Sequence, residues 1–341
     1  MSGTSNLIRL SVDMMGGDQG IEVTAPGLLD ALSRYPDLIC HAVGDPEQLH
    51  DALSASAPAD RLIVVPSSEV VAMDEPPASA LRFKKDSSMR VAINQLSEGR
   101  VSGCVSAGNT GALMATARFV LKTLPGIDRP AIIAVLPRSA GHVHMLDLGA
   151  NVGSPPEVLF QFGLMGSSLV RTLEGAEAPT VGLLNVGSEE IKGSETIKAA
   201  SEMLRNRDLN YVGYVEGDDI FNGEVDLIVC DGFEGNIALK TSEGLAQMLT
   251  KVIREEFTRS LFSKLAALIA KPVLRAFQAR IDHRRYNGAM LLGLRGVVIK
   301  SHGGADRTAF SNAIGAARLA ASKNLISQIE SDLEATLALA D

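Results

Sequence analysis

Tryptophan is absent from this 341-residue chain, and aromatic residues make up only 4% of it. Its core must therefore be built from Val, Ile, Leu, Ala and Met, which suits buried parallel strands under helices better than a β-sandwich. Cysteine is scarce too: Cys40, Cys104 and Cys230 lie far apart, each inside an apolar run. That pattern excludes a disulfide framework or a cysteine zinc site and points to reduced thiols in a cytoplasmic protein. No apolar run approaches a membrane span, and residues 7–12 are too short and too polar for a signal-peptide core. An excess of positive charge is also missing, since the formal net charge is −8. Nucleic acid, whose binding rests on phosphate neutralisation, is not expected as a partner. No repeat and no Pro/Gly/Ser-rich linker divides the chain, so one domain spanning 1–341 is expected.

What is present is a rhythm of short apolar runs alternating with helical-period stretches, the pattern of a three-layer α/β/α fold with a mostly parallel sheet. Strands are predicted at 7–13, 38–43, 61–65, 101–106, 131–136, 142–148, 180–185, 211–215, 225–230 and 296–300. Helices are predicted at 21–34, 46–56, 110–124, 155–173, 194–206 and 306–337, among others. Residues 241–285 break this rhythm with a long helical stretch interrupted only at Lys271-Pro272. Because proline removes a helix donor, two helices meeting near a tip at that point are predicted, as a protruding amphipathic hairpin. Nine cations, from Lys251 to Arg285, against Glu255, Glu256 and Asp282 make this pair basic on an acidic protein.

Six Gly-rich turns follow predicted strands: VDMMGGDQG (12–20), SAGNTGALM (106–114), DLGANV (147–152), NVGSEEIKG (185–193), CDGFEGN (230–236) and KSHGG (300–304). Such turns let backbone approach a ligand and offer helix N-terminal amides to anions. None has the G-x-G-x-x-G spacing of a dinucleotide fingerprint or the lysine of a P-loop, so nicotinamide and ATP chemistry are unsupported and no cofactor is expected. His142 and His144 stand at i, i+2 on a predicted strand, with no third ligand accompanying them in sequence; they read as structural, and no metal is expected.

Together with LRFKKDSSM (81–89) and PGIDRPA (125–131), these turns make the chain resemble the phosphate acyltransferase family of bacterial phospholipid synthesis, often called PlsX, from about residue 8 to the 324 region. The resemblance implies a dimeric α/β/α fold related to phosphotransacetylases and isocitrate-dehydrogenase-like enzymes. It implies acyl carrier protein as acyl donor, inorganic phosphate as acceptor and acyl phosphate as product. That product would feed a membrane-bound glycerol-3-phosphate acyltransferase. Three positions depart from the family's usual pattern: Gln19-Gly20-Ile21 replaces His-Gly-Pro, Gly153 stands where Asp is usual, and Ser168 where Tyr is common.

The reaction so implied asks the protein to gather phosphate, align it with a thioester carbonyl and stabilise an oxyanion. Lys192 and Lys300 are the cations placed on phosphate, and His302 is either a third anion donor or the proton donor to the departing thiolate. Asn109, Asn151 and Asn236 are the candidate side-chain donors, with Asn236 in the catalytic set. Asp13 and Asp231 orient cations and loops, while Gly16, Gly17, Asp18, Ser106, Gly108, Thr110 and Gly232 complete the substrate-binding turns. Arg82, Lys84 and Lys85 either steer the acidic carrier or cover a helix. The apolar residues Leu268, Ile269, Val273 and Leu274 suit a dimer arm, peripheral contact with an anionic membrane, or both. Two other functions remain open: a phosphotransacetylase acting on short-chain acyl-CoA, and a membrane scaffold that has lost catalysis.

Overall fold

The computed structural model describes residues 7–53, 58 and 60–338. In chain order the elements are β1 (Ile8–Asp13), α1 (Ile21–Arg34), β2 (Leu38–Gly44), α2 (Pro46–Leu53), β3 (Leu62–Pro66), α3 (Pro77–Phe83), α4 (Ser88–Ser97), β4 (Gly103–Ser106), α5 (Thr110–Leu121), β5 (Ala131–Pro137) and β6 (His142–Leu146). There follow α6 (Pro156–Glu174), β7 (Val181–Leu184), α7 (Glu195–Arg205), β8 (Tyr211–Val215), α8 (Asp219–Asn222), β9 (Leu227–Val229), α9 (Gly232–Thr258), α10 (Leu261–Ile281), a 3-10 turn (His283–Tyr286), β10 (Ala289–Leu292), β11 (Val297–Lys300), α11 (Arg307–Ser322) and α12 (Leu325–Ala338).

The strands form one eleven-stranded sheet in the order β3-β2-β1-β4-β11-β10-β5-β6-β9-β7-β8. Alternation along each strand sends side chains into two apolar layers. On one face Leu10, Val12, Ile133 and Val229 meet Leu28 and Leu32 of α1, Phe162 and Met165 of α6, and Phe310 of α11. On the other, Cys104, Ile132, Ile228 and Val298 meet Ile93 of α4, Leu113 of α5 and Ala238 of α9. The three-layer α/β/α architecture with a mostly parallel sheet is the observed one.

Strand direction divides the sheet. β3, β2, β1, β4 and β11 run parallel, and β5 shares their direction because β10 is antiparallel to both β11 and β5. β6 is antiparallel to β5, and β9, β7 and β8 follow β6. The carboxyl ends of β1, β4 and β11 therefore lie at one edge, and those of β6, β9 and β7 at the opposite edge.

Each predicted strand forms; β10 is additional. Its Ala-Met-Leu-Leu has no β-branched residue and carries no strand signal of its own, and it enters the sheet because β5 and β11 flank it. The helix predicted at 306–337 is broken where Asn324 takes φ +49, a backbone conformation asparagine tolerates.

The tip of the helical pair is corrected. The chain reverses at Arg259–Ser260, where the Ser260 hydroxyl caps α10 by accepting the Ser263 N–H at 3.0 Å. Pro272 sits inside α10, because a long helix lodged against a neighbour tolerates one lost hydrogen bond. α10 folds back along α9, with Phe257 and Ala267 near the reversal and Thr250 and Phe277 further down lining the same groove. Leu268, Ile269, Val273 and Leu274 thus lie midway along α10, not at a reversal. Leu274 faces the groove, while Leu268, Ile269 and Val273 are exposed.

Candidate active site at the carboxyl ends of three neighbouring strands

β1, β4 and β11 are adjacent and end together, which brings three of the six Gly-rich turns to one place. Asp13 closes β1 and is buried; its Oδ2 accepts the Ser106 hydroxyl at 2.6 Å. That hydroxyl oxygen in turn accepts the Gly108 N–H at 3.0 Å. A Cβ on Gly16 would stand 2.6 Å from Asp13 Oδ2 and 2.8 Å from the Gly108 nitrogen, so only glycine lets the first turn lie this close to the second. The Asp18 N–H donates to the Gly303 carbonyl at 2.9 Å and ties the first turn to the third.

Lys300 ends β11 and is buried, its ammonium donating to the Ala107 carbonyl at 3.2 Å and to the Ser301 carbonyl. Among the described residues no acceptor takes its third N–H. Burial pushes the lysine down to about 8, and the Asp13 and Asp18 carboxylates partly offset this from beyond ion-pair distance. Burial likewise raises the Asp13 carboxyl. Nearby, the Thr110 and Gly111 amides of the first α5 turn have no protein acceptor among the described residues, whereas Ala112 N–H is capped by Asn109 Oδ1 at 2.9 Å.

His302 Nδ1 accepts the Gly304 N–H at 3.1 Å, so the neutral ring carries its proton on Nε2. Burial holds its pKa below the usual value, opposed by Glu243 and reinforced by Lys240 and Lys300. Asn287 fixes this segment: its amide holds the Ser301 hydroxyl at 2.8 Å and its Oδ1 accepts the His302 N–H at 2.9 Å.

The opposite edge holds the other turns. Asp147 is buried, its burial raises its pKa, and its two oxygens accept the amides of Ile132, Ala150 and Asn151 at 2.7–3.1 Å. Asp231 caps α9 by accepting Phe233 N–H at 2.9 Å and holds Ser154 N–H at 2.7 Å. Gly232 presses against the Asn151 carbonyl, and Asn236 packs on Gly149. From here α9 crosses to the first edge: at about 1.5 Å per residue, Lys240 lies about 12 Å beyond Gly232. Its charge acts on both Lys300 and His302, and it pairs with Glu243 at 2.9 Å.

Three predicted roles need correction. Lys192 does not join Lys300: it follows β7, five strand spacings or about 24 Å from β11, at the other edge. It is exposed and pairs with Glu189 at 2.7 Å, which raises its pKa. The Asn109 amide already donates to the carbonyls of Met73 and Glu75 at 2.7 and 3.1 Å, so it anchors that loop and is no free anion donor. The Asn151 amide is likewise engaged, by the Pro130 carbonyl at 2.9 Å and Asp147 Oδ2 at 3.0 Å. The Asn236 amide remains without a hydrogen bond among the described residues.

Sequence reasoning passed over Lys240 and Glu243, although Lys240 lies one helical step past the CDGFEGN turn. It also left His142 and His144 without a third ligand, and here the structure differs: Glu174 Oε1 stands 3.2 and 3.3 Å from their Nε2 atoms. The Ser168 hydroxyl donates to Asp332, which also pairs with Arg171. The three thiols are buried, and burial raises the pKa of each.

A sequence profile for the family described as "Fatty acid synthesis protein" matches residues 8–328. A relative from Alkalilimnicola ehrlichii named phosphate acyltransferase is 56% identical over 333 residues, 97% of each chain. A second of that name, from Methylococcus capsulatus, is 59% identical over 307 residues, 89% of this chain and 91% of the relative. The chain belongs to the phosphate acyltransferase family. As a member it is an acyl-transferring enzyme of fatty acid and phospholipid synthesis. Its fold is that of phosphotransacetylases from Streptococcus pyogenes (TM-score 0.63, 15% identity, 93% of this chain and 96% of that one) and Staphylococcus aureus (TM-score 0.61, 15% identity, 93% and 95%). Among the described residues, no helix of this acyltransferase is long and apolar enough to cross a membrane.

Proposed function

We propose that this acyltransferase moves a fatty acyl group from the pantetheine thioester of acyl carrier protein to inorganic phosphate, releasing acyl phosphate and the free carrier thiol. Lys300 carries the reading: a buried ammonium with one N–H unclaimed, beside the open α5 amides, offers charge and donors to a phosphate dianion. A phosphate oxygen of the hydrogen phosphate dianion attacks the thioester carbonyl carbon, the neutral His302 donates an Nε2–H hydrogen bond to the developing anion, the C–S bond breaks, and the departing thiolate takes up, through solvent, the proton that the acyl phosphate releases. Lys240 adds a second cation from α9, and Asp13, Ser106 and Gly108 hold the turn that shapes the site. In one chain Lys192 serves the opposite edge, so its part in catalysis would require a second copy, whereas Asn236 stands one turn of α9 before Lys240, about 6 Å along the helix axis.

The carrier, being acidic, suits the exposed Arg82 and Lys85 at the end of α3, which starts beside the α5 N-terminus. The exposed apolar residues of α10 extend from Leu261 and Phe262 at the reversal through Leu265 and Ile269 to Val273. This stripe, amid Lys264, Lys271 and Arg275, supports peripheral contact with anionic lipid, while the α9 stripe of Leu245, Leu249 and Val252 supports a homodimer. Lipid contact would deliver the amphipathic product to a membrane-bound glycerol-3-phosphate acyltransferase from the cytoplasmic side. Phosphate-dependent release of carrier thiol from palmitoyl-carrier, compared with thiol release from acetyl-CoA, tests the reading. Turnover of acetyl-CoA alone would move it to a short-chain phosphotransacetylase, and no turnover of either would leave a scaffold.

A further inference from the structure

Apart from the Lys300 turns, His142, His144 and Glu174 converge on one point at the amino end of β6. The two histidines stand two residues apart on β6, so both rings leave the same side of the strand, and Glu174 closes α6 beside them. Both Nε2 atoms approach the same Glu174 oxygen, at 3.2 and 3.3 Å, and all three donor atoms lie within 4.8 Å of one another. The rings meet edge to face, 5.5 Å between centroids at 74°. A tetrahedral ion with ligands at about 2.0–2.1 Å spaces its donor atoms about 3.3–3.4 Å apart. Two edges of that tetrahedron already have this length.

The surroundings suit an ion. A cavity of about 200 Å³ opens on the three side chains, leaving room for a water ligand. Arg138 lines it too, but its guanidinium is drawn to the carbonyls of Val225 and Ala140 at 2.8 and 3.1 Å. We propose that His142, His144 and Glu174 bind a divalent zinc-class cation, with the fourth position open to this cavity. Two imidazoles and one carboxylate select such an ion over magnesium or calcium, which prefer all-oxygen shells. The buried thiols, held protonated, do not compete as ligands.

The site braces the fold next to the catalytic edge without entering the reaction. Tyr286 lies 6.5 Å, ring to ring, from His142, and the following residue, Asn287, holds Ser301 and His302 in place. The ion would therefore join α6 to β6, and the His142 ring it holds faces Tyr286 of the segment returning from α10.

The full chain, stripped with a chelator and exchanged into phosphate-free buffer, is titrated with ZnCl2 in a calorimeter, with MgCl2 as the control. The expected result is saturation near one zinc per chain, a raised melting temperature with zinc and no change with magnesium. His142→Ala and Glu174→Gln, both at partly exposed positions and checked for folding by circular dichroism, should each weaken zinc binding roughly tenfold or more. The cobalt-loaded protein should show visible ligand-field bands that both variants lose. Absence of saturable zinc binding, or equal binding by both folded variants, overturns the proposal and leaves a hydrogen-bonded histidine–carboxylate cluster.

Discussion

The Ser106 hydroxyl donates to Asp13 Oδ2 at 2.6 Å while accepting the Gly108 N–H at 3.0 Å, so one oxygen joins the end of β1 to the turn that opens α5. Ser106→Ala leaves a buried carboxyl and a buried amide without this partner, a loss of about 1–3 kcal/mol. Urea unfolding followed by circular dichroism should show that drop. An unchanged midpoint would mean that water replaces the hydroxyl.

The burial of Lys300 sets a pH dependence. Its pKa in the folded chain, about 8, lies below the ordinary 10.5, so the charge is present below about 8 and fades as pH rises through it. Phosphate use, read as kcat/KM for phosphate, should therefore fall between about pH 7 and 9. Any activity Lys300→Arg retains should follow a flatter profile, since the guanidinium stays charged. Identical profiles for both proteins would remove Lys300 from the anion site.

The two candidate lysines should separate on mutation. Lys300→Ala is expected to lose about 2–4 kcal/mol of transition-state stabilisation, roughly a hundredfold in rate, while Lys192→Ala stays close to the parent. Initial rates against phosphate concentration decide it. Equal losses would require Lys192 to reach the site from a second copy of the chain.

Two glycines of α9 should respond with opposite signs. On Gly232 a Cβ would stand 2.3 Å from the Asn151 carbonyl oxygen and 2.9 Å from Asp147 Oδ2, whereas on Gly244 it meets nothing within 4 Å. Gly232→Ala should destabilise by about 1–3 kcal/mol, and Gly244→Ala should stabilise by about 0.5–1 kcal/mol. Melting temperatures moving in the same direction for both would contradict this placement of the helix.

Replacing Leu261, Phe262 and Ile269 together with Glu should release the protein from anionic liposomes in flotation and leave acyl transfer in solution intact. These side chains are 85%, 82% and 76% exposed, so their replacement breaks little packing. Unchanged flotation removes the lipid role of α10. Loss of a dimer in analytical ultracentrifugation assigns the stripe to a second copy instead.

Local pattern carried much of this protein. Short apolar runs are enough to mark the strands, because burial on both faces demands mostly apolar residues at consecutive positions, as in β2, where all seven residues are buried and only His41 has a polar side chain. Glycine turns are legible for a similar reason: the close approach of Gly16 to Asp13 and Gly108 tolerates no side chain. The family signature rests on those same turns.

What the sequence determined by itself is therefore the inventory: strands, helices, and six turns able to meet a ligand. Tertiary structure alone decided which turns meet. The reversal between β5 and β6 sends Lys192 to the edge opposite Lys300, while α9 brings Lys240 back across. It also carried Glu174 to His142 and His144, and moved the helical reversal from Pro272 to Arg259–Ser260. The reason is physical: periodicity reports burial along a few neighbouring residues, whereas strand direction and helix reversal depend on packing between segments far apart in the chain.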